Sequence, residues 1–233
     1  MTPGRSILRL ARLHPALAAM WFSVTGGCLV WAVVGGDVRV WAYLTVVMVL
    51  TAAVAMTDRA AGFSTGALGL LLATGCAHLA GGLLPGPDGG VLYDRWVILH
   101  VLRYDQIVHV LGSAAATVVS WQILGTWFDL ARTPPRVQAV MAALAGLGKG
   151  AINEVLEFLT AIRVPGTYVG GYTNTGWDLV FDVVGVTVAA CVLVIAGAAR
   201  RTAGPAPVGP APVEQSRFRG NVSAQTSPHR APV

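Results

Sequence analysis

Six apolar runs, each near 20 residues, constrain this chain more than any other feature. They lie at about 16–34, 38–56, 64–84, 104–125, 137–162 and 176–198. Crossing a bilayer core of about 30 Å takes about 20 residues of α-helix. The runs do not alternate in polarity, as strands of a membrane barrel do. The expected fold is therefore all-α: a polytopic bundle of about six transmembrane helices. The charge content agrees, because only 12% of the residues are charged, against about 25% in soluble domains.

The basic head before residue 16 precedes a long apolar segment without a clear small-x-small cleavage site, so it reads as a retained first span. From Thr202 to residue 233 the chain is rich in Pro, Ala and Ser with no periodic apolar face. That composition predicts a disordered cytoplasmic tail. The bundle then occupies residues 1–201. Between the third and fourth spans, residues 85–103 form a long loop whose middle, VLYDRWVILHVL, is apolar enough to lie on the membrane or dip into the bundle.

Net charge is +5, carried by fifteen arginines and the single lysine Lys149. Most arginines flank the spans, where they act as orientation signals and not as a nucleic-acid footprint. With the N-terminus inside, the inner segments hold Arg5, Arg9, Arg12, Arg59, Arg132, Arg136, Arg200 and Arg201, and the outer ones Arg39, Arg95, Arg103 and Arg163. Both termini are therefore expected in the cytoplasm. The preference for Arg over Lys, with many Ala, Gly and Val, suits a GC-rich bacterium, hence a bacterial plasma membrane. Cys28, Cys76 and Cys191 are far apart inside apolar runs and read as small buried hydrophobes.

A charge at the centre of a span costs about 2.5–3.5 kcal/mol on insertion scales, yet the last three spans carry several. The fourth opens YDQIVHVLG, with Asp105 and His109. The fifth holds Lys149, Asn153, Glu154 and Glu157. The sixth opens GWDLVFDVVG, with Asp178 and Asp182. The alternating direction of the spans sets all of these acids on one side of the midplane, the outer half. His78 of the third span falls at a similar depth. At 100° per residue, Asp105 and His109 are about 40° apart on their helix, as are Asp178 and Asp182, while Glu154 and Glu157 are about 60° apart. Gly146 and Gly150 lie near the glutamate face, which makes it an interior face open to close approach. Asp105 and Asp178 also suit helix N-terminal caps. The deeper Asp182, Glu154 and Glu157 do not. His78 alone is as well explained by a satisfied core histidine. Lys149 suits either a counter-ion to a glutamate or a side chain snorkelling to the surface.

The spans opening at Asp105 and Asp178 share one template: aromatic, Asp, three residues, His or Asp, two residues, Gly, three residues, Ala. This pairs Asp105, His109, Gly112 and Ala116 with Asp178, Asp182, Gly185 and Ala189, the pattern of a parallel internal repeat.

YDQIVHVLG, NEVLEF and NTGWDLVFDVVG, in that order, resemble the YjdF-like family of bacterial inner-membrane proteins and, more distantly, the VanZ-like membrane proteins. The resemblance covers residues 104–197. It implies that Asp105, His109, Glu154, Glu157, Asp178 and Asp182 form the site, and the VanZ-like side implies a link to the cell envelope. Where the YjdF-like pattern often has a further acid, this sequence has Asn174.

Five carboxyls and one imidazole in a low-dielectric pocket cannot all be charged without compensation. Either a cation sits among them or protons do. The first case suits Mg²⁺, Mn²⁺ or Zn²⁺, and a polar or phosphate head group of a lipid-linked substrate as ligand. The second suits a proton- or cation-coupled transporter. A metal-dependent membrane hydrolase and a purely structural polar lock complete the set. HExxH and P-loop motifs are absent from the sequence, so no catalytic residue is nominated.

Overall fold

A computed structural model describes residues 3–36, 38–86, 89–128, 133–163 and 171–202. Seven α-helices follow one another: α1 Pro3–Leu13, α2 Pro15–Gly35, α3 Val38–Ala61, α4 Thr65–Leu83, α5 Tyr104–Trp127, α6 Pro135–Arg163 and α7 Tyr172–Thr202. The last six are long and apolar enough to cross a membrane. Residues 203–233, where the sequence predicts a disordered tail, lie outside the described residues.

The distribution of side chains is inverted relative to a water-soluble protein. Val34, Val49, Leu144, Phe158, Val188 and Ile195 are exposed, whereas Ser113, Thr117, Asp178 and Asp182 are fully buried. Lipid solvates the first set. The second must find partners inside the bundle.

α5, α6 and α7 pack most closely on one another, because small residues line their seams. A Cβ at Gly146 would strike Thr117 Oγ1, Val186 and the Ser113 carbonyl. One at Gly185 would strike Ser113 Oγ and the Val110 backbone. α2, α3 and α4 share a separate apolar cluster of Ala32, Val40, Leu44, Val47, Leu79 and Leu83. The two halves are joined at the far end by Gln122 of α5. Its Oε1 accepts from Ser64 N (2.8 Å) and its Nε2 donates to Ser64 Oγ (3.0 Å), at the N-cap of α4.

Two elements depart from the sequence expectation. The basic head is itself a helix, α1, which packs on α3. Arg9 Nη1 donates to Asp58 Oδ2 (2.9 Å), and Asp58 Oδ1 accepts from Phe63 N (2.8 Å). Asp58 is 3% exposed and Arg9 42%, so the ion pair itself contributes no more than about 1 kcal/mol. The buried Phe63 N–H matters more, because without Asp58 it has no acceptor. Asp58→Ala is expected to destabilise the fold by about 1–3 kcal/mol. Asp58→Asn, which keeps an acceptor, is expected to cost less than half of that, measured as thermal midpoints in detergent.

The second departure is a pair of strands. β1 Trp96–Ile98 and β2 Leu102–Arg103 form an antiparallel hairpin immediately before α5. The apolar loop thus divides its roles. A 3₁₀ turn at Leu92–Asp94 sends Tyr93 into the bundle against Gly81 of α4, while the hairpin stays outside with Val97, Ile98, Leu99 and Val101 exposed.

Candidate functional site

The hairpin marks one end of the bundle, and α5 and α7 both enter from it while α6 arrives there. Asp105 lies in the first turn of α5 and His109 one turn deeper. Asp182 is ten residues into α7 and Glu154 nine from the end of α6. At 1.5 Å per residue, His109, Glu154 and Asp182 sit about 8–15 Å from that end, with Asp105 at its rim.

His109, 5% exposed, is its centre. Its Nε2 lies 3.8 Å from Asp105 Oδ1, 3.8 Å from Glu154 Oε1 and 3.9 Å from Asp178 Oδ1. On its other side, Nδ1 lies 3.4 Å from Asp182 Oδ1. Glu157 joins His109 and Glu154 in a second set whose ligand atoms lie within 4.8 Å of one another. Asp105, His109 and Asp178 make the first such set. The six residues singled out by the sequence therefore converge on one imidazole. Gly150 permits this. The Asp182 carboxylate occupies the space a Cβ at position 150 would need.

Direct hydrogen bonds do not account for the arrangement. The contacts around His109 Nε2 exceed the 2.7–3.2 Å of an N–H···O bond. Among the described residues, His109 Nδ1, Glu154 Oε1 and Oε2, Asp178 Oδ1 and both oxygens of Asp182 are buried without a hydrogen bond of ordinary geometry, although Asp182 lies beside Nδ1, and Thr175 and Asn153 beside the Glu154 carboxylate. Native interiors satisfy nearly all such groups. Two ligands each about 2.1 Å from a small cation stand about 3.0–3.4 Å apart, and about 3.4–3.9 Å apart at calcium-like distances of about 2.4 Å. Around His109 Nε2 the 3.8–3.9 Å contacts are a few tenths of an ångström wider than the small-cation spacing, and the 3.4 Å contact at Nδ1 lies at its edge.

Three further positions fall into place differently from the sequence reading. His78 is not part of the ring around His109. Its Nδ1 meets the Tyr93 hydroxyl at 2.5 Å, and its imidazole packs against the rings of Tyr43 and Tyr93. Burial, followed by the nearby Tyr43, pushes the Tyr93 phenol well above its ordinary range, so it stays protonated and donates. His78 thus anchors the loop. Lys149 is exposed, its Nζ alongside Gly112. Among the described residues it makes no ion pair with Glu154 or Glu157. Asn153 serves Glu157, donating to Oε1 at 2.6 Å.

Asn174 is the residue whose role the sequence underrates. Its Nδ2 donates to Asp178 Oδ2 (2.5 Å) and approaches Asp105 Oδ2 (3.4 Å), bridging α7 to α5. An amide here holds two carboxylates without adding another negative charge. The signal was its spacing, one turn before Asp178 on the same face. The shared template of α5 and α7 delivers both aspartates to one place, but its two glycines part ways: Gly112 faces Lys149 and Thr74, and Gly185 faces α5.

Comparison with known proteins gives one result. The family model described as a predicted membrane protein (DUF2238) matches residues 17–199. No curated protein and no solved structure matches. The match spans α3, α4, α5 and α6 entirely and nearly all of α2 and α7, so the chain belongs to the DUF2238 family of predicted membrane proteins.

Proposed function

We propose that this DUF2238 membrane protein binds a small divalent cation among Asp105, His109, Glu154, Glu157, Asp178 and Asp182. The observation that carries this reading is the set of buried, unpartnered acceptors around His109. A structural polar lock satisfies its own groups, since a half-satisfied network costs more than an apolar core. A divalent cation supplies what these groups lack: several short contacts at once and two positive charges among five carboxylates. Oxygen ligands suit Mg²⁺ and Mn²⁺, imidazole suits Zn²⁺ and its neighbours, and Mn²⁺ accepts both.

A conducting path for ions is less well supported. Transporter sites gather near the midplane, and His109 is about 8 Å into a helix about 36 Å long. Below it, Ser113 Oγ donates to the His109 carbonyl and Thr117 Oγ1 to the Ser113 carbonyl, both at 2.8 Å. These hydroxyls are committed to their own helix. With both termini cytoplasmic, as the arginine count predicts, the pocket opens to the outside of a bacterial plasma membrane. The likeness to YjdF-like and VanZ-like proteins suits that envelope setting.

The test is metal analysis of protein purified into lipid nanodiscs, followed by titration with Mn²⁺, Zn²⁺ and Mg²⁺. About one equivalent is expected. Loss of even a residue that only supports a metal ligand costs about 10–100-fold in affinity, so Glu154→Gln and Asp182→Asn are each expected to cost at least tenfold. Wild-type protein that takes up none of the three, or variants that bind as well as wild type, would defeat the reading.

A further inference from the structure

Directly above the carboxylates the surface opens into a cleft of about 300 Å³, between the hairpin and the start of α7. Its walls include Trp96, His100, Arg103, Gln106, Asn174 and Trp177. We infer that this cleft receives the phosphate group of an amphiphile whose apolar part runs past Trp96 and Trp177 into the lipid. The inference deepens the cation reading, on which it rests for the contact beneath the phosphate.

Arg103 supplies positive charge. It is held at the cleft with its guanidinium carbon 4.8 Å from the centre of the Trp96 ring. A guanidinium stacked on an aromatic face keeps its N–H fork free for an oxyanion, and matches phosphate geometry. The floor is shared with the cation pocket, because Asn174 lines the cleft and also holds Asp105 and Asp178. Five carboxylates below would repel an anion. A divalent cation among them neutralises part of that charge and weakens the repulsion, so phosphate binding should depend on the cation.

The hairpin sets the cleft at the membrane surface. His100 is the sole non-glycine residue with positive φ (57°) among those described. That conformation is uncommon for a side chain with a Cβ, and here it sets the imidazole over Trp96, ring centres 5.7 Å apart, on the cleft wall. The hairpin that carries it exposes Val97, Ile98, Leu99 and Val101, and Trp177 is 54% exposed. Polar donors thus face the cleft while an apolar rim surrounds it, with tryptophans of the kind that settle at a membrane interface. A free phosphate needs no such rim. A phosphate with a hydrocarbon chain does.

The test uses full-length protein in nanodiscs with Mn²⁺ and three probes, hexyl phosphate, inorganic phosphate and hexanol, followed by tryptophan fluorescence and calorimetry. Hexyl phosphate is expected to bind at least tenfold more tightly than inorganic phosphate, and hexanol not to bind. Arg103→Gln is expected to weaken hexyl phosphate at least tenfold with manganese content unchanged. The Arg103 main-chain N–H bond to Gln106 Oε1 (2.9 Å) does not involve the substituted side chain. Trp177→Ala is expected to weaken hexyl phosphate and leave inorganic phosphate alone. Hexyl phosphate binding that Arg103→Gln leaves intact overturns the inference. Equal affinity for the two phosphates overturns its amphiphile half. If the protein holds no cation yet Arg103 still governs hexyl phosphate, the cation reading falls and the cleft stands.

Discussion

His109→Ala protein is expected to lose cation affinity by at least about 100-fold, the largest effect of any single side chain in the pocket. Every other candidate ligand belongs to one side of the imidazole. His109 belongs to both sets of potential ligands, and its two nitrogens face four carboxylates from three helices. A 100-fold loss corresponds to about 2.7 kcal/mol. It has a second, independent readout. A ligand at 100 times its Kd raises the stability of the folded state by about 2.7 kcal/mol, so wild-type protein should melt several degrees higher with saturating Mn²⁺ than with chelator. The variant should melt at the same temperature in both. An equal Mn²⁺-induced rise in wild type and His109→Ala would show that the imidazole is not at the cation.

Gly146→Leu is expected to be the most destabilising exchange on α6. A Cβ there already meets Thr117 Oγ1, Val186 Cγ1 and the main-chain carbonyl of Ser113. The last cannot swing aside, because it accepts from Thr117 Oγ1 within α5. Overpacking typically costs about 1–3 kcal/mol, and obstruction by main chain on one side and α7 on the other puts this case at the upper end. α6 must then move away from both neighbours and carry Glu154 and Glu157 with it. A fall in thermal midpoint should therefore accompany a loss of cation binding. Gly148→Leu is the control. No atom lies within 4 Å of a Cβ at that position, and replacing a mid-helix glycine gains about 0.5–1 kcal/mol of helix propensity. The same loss in both variants would mean that the close contact at Gly146 is not what holds α6 in place.

Sequence reasoning reaches part of the way along this helix. Gly146, Gly148 and Gly150 are alike as letters. The angle from Glu154 and Glu157 placed Gly146 and Gly150 on the inner face, and there they meet α5 and α7. In the same way, pairs one turn apart identified Asp105 with His109, and Asp178 with Asp182, as single-face sets. His78 had no such same-helix partner, and it lies apart from the ring of acids; Lys149, one turn before Asn153, lies apart as well, which spacing alone did not foretell. The sequence could not see that Tyr93, fifteen residues on, would claim His78. Nor could it see that Arg9 would reach Asp58 and make a helix of the basic head.

Length, hydropathy and position along each span were enough to predict six helices long and apolar enough to cross a membrane and ionisable groups gathered toward one end of the bundle, because these depend on rise per residue and on the cost of leaving backbone or charge in hydrocarbon. Helical spacing also decided which residues share a face. The rotation of each helix about its own axis was decided only in the assembled bundle. It depends on which neighbour's side chain fits against which glycine, a contact between segments distant in sequence. That rotation is what turns His109 into the midst of the carboxylates, lets Asn174 span Asp105 and Asp178, and opens the cleft with Arg103 above them.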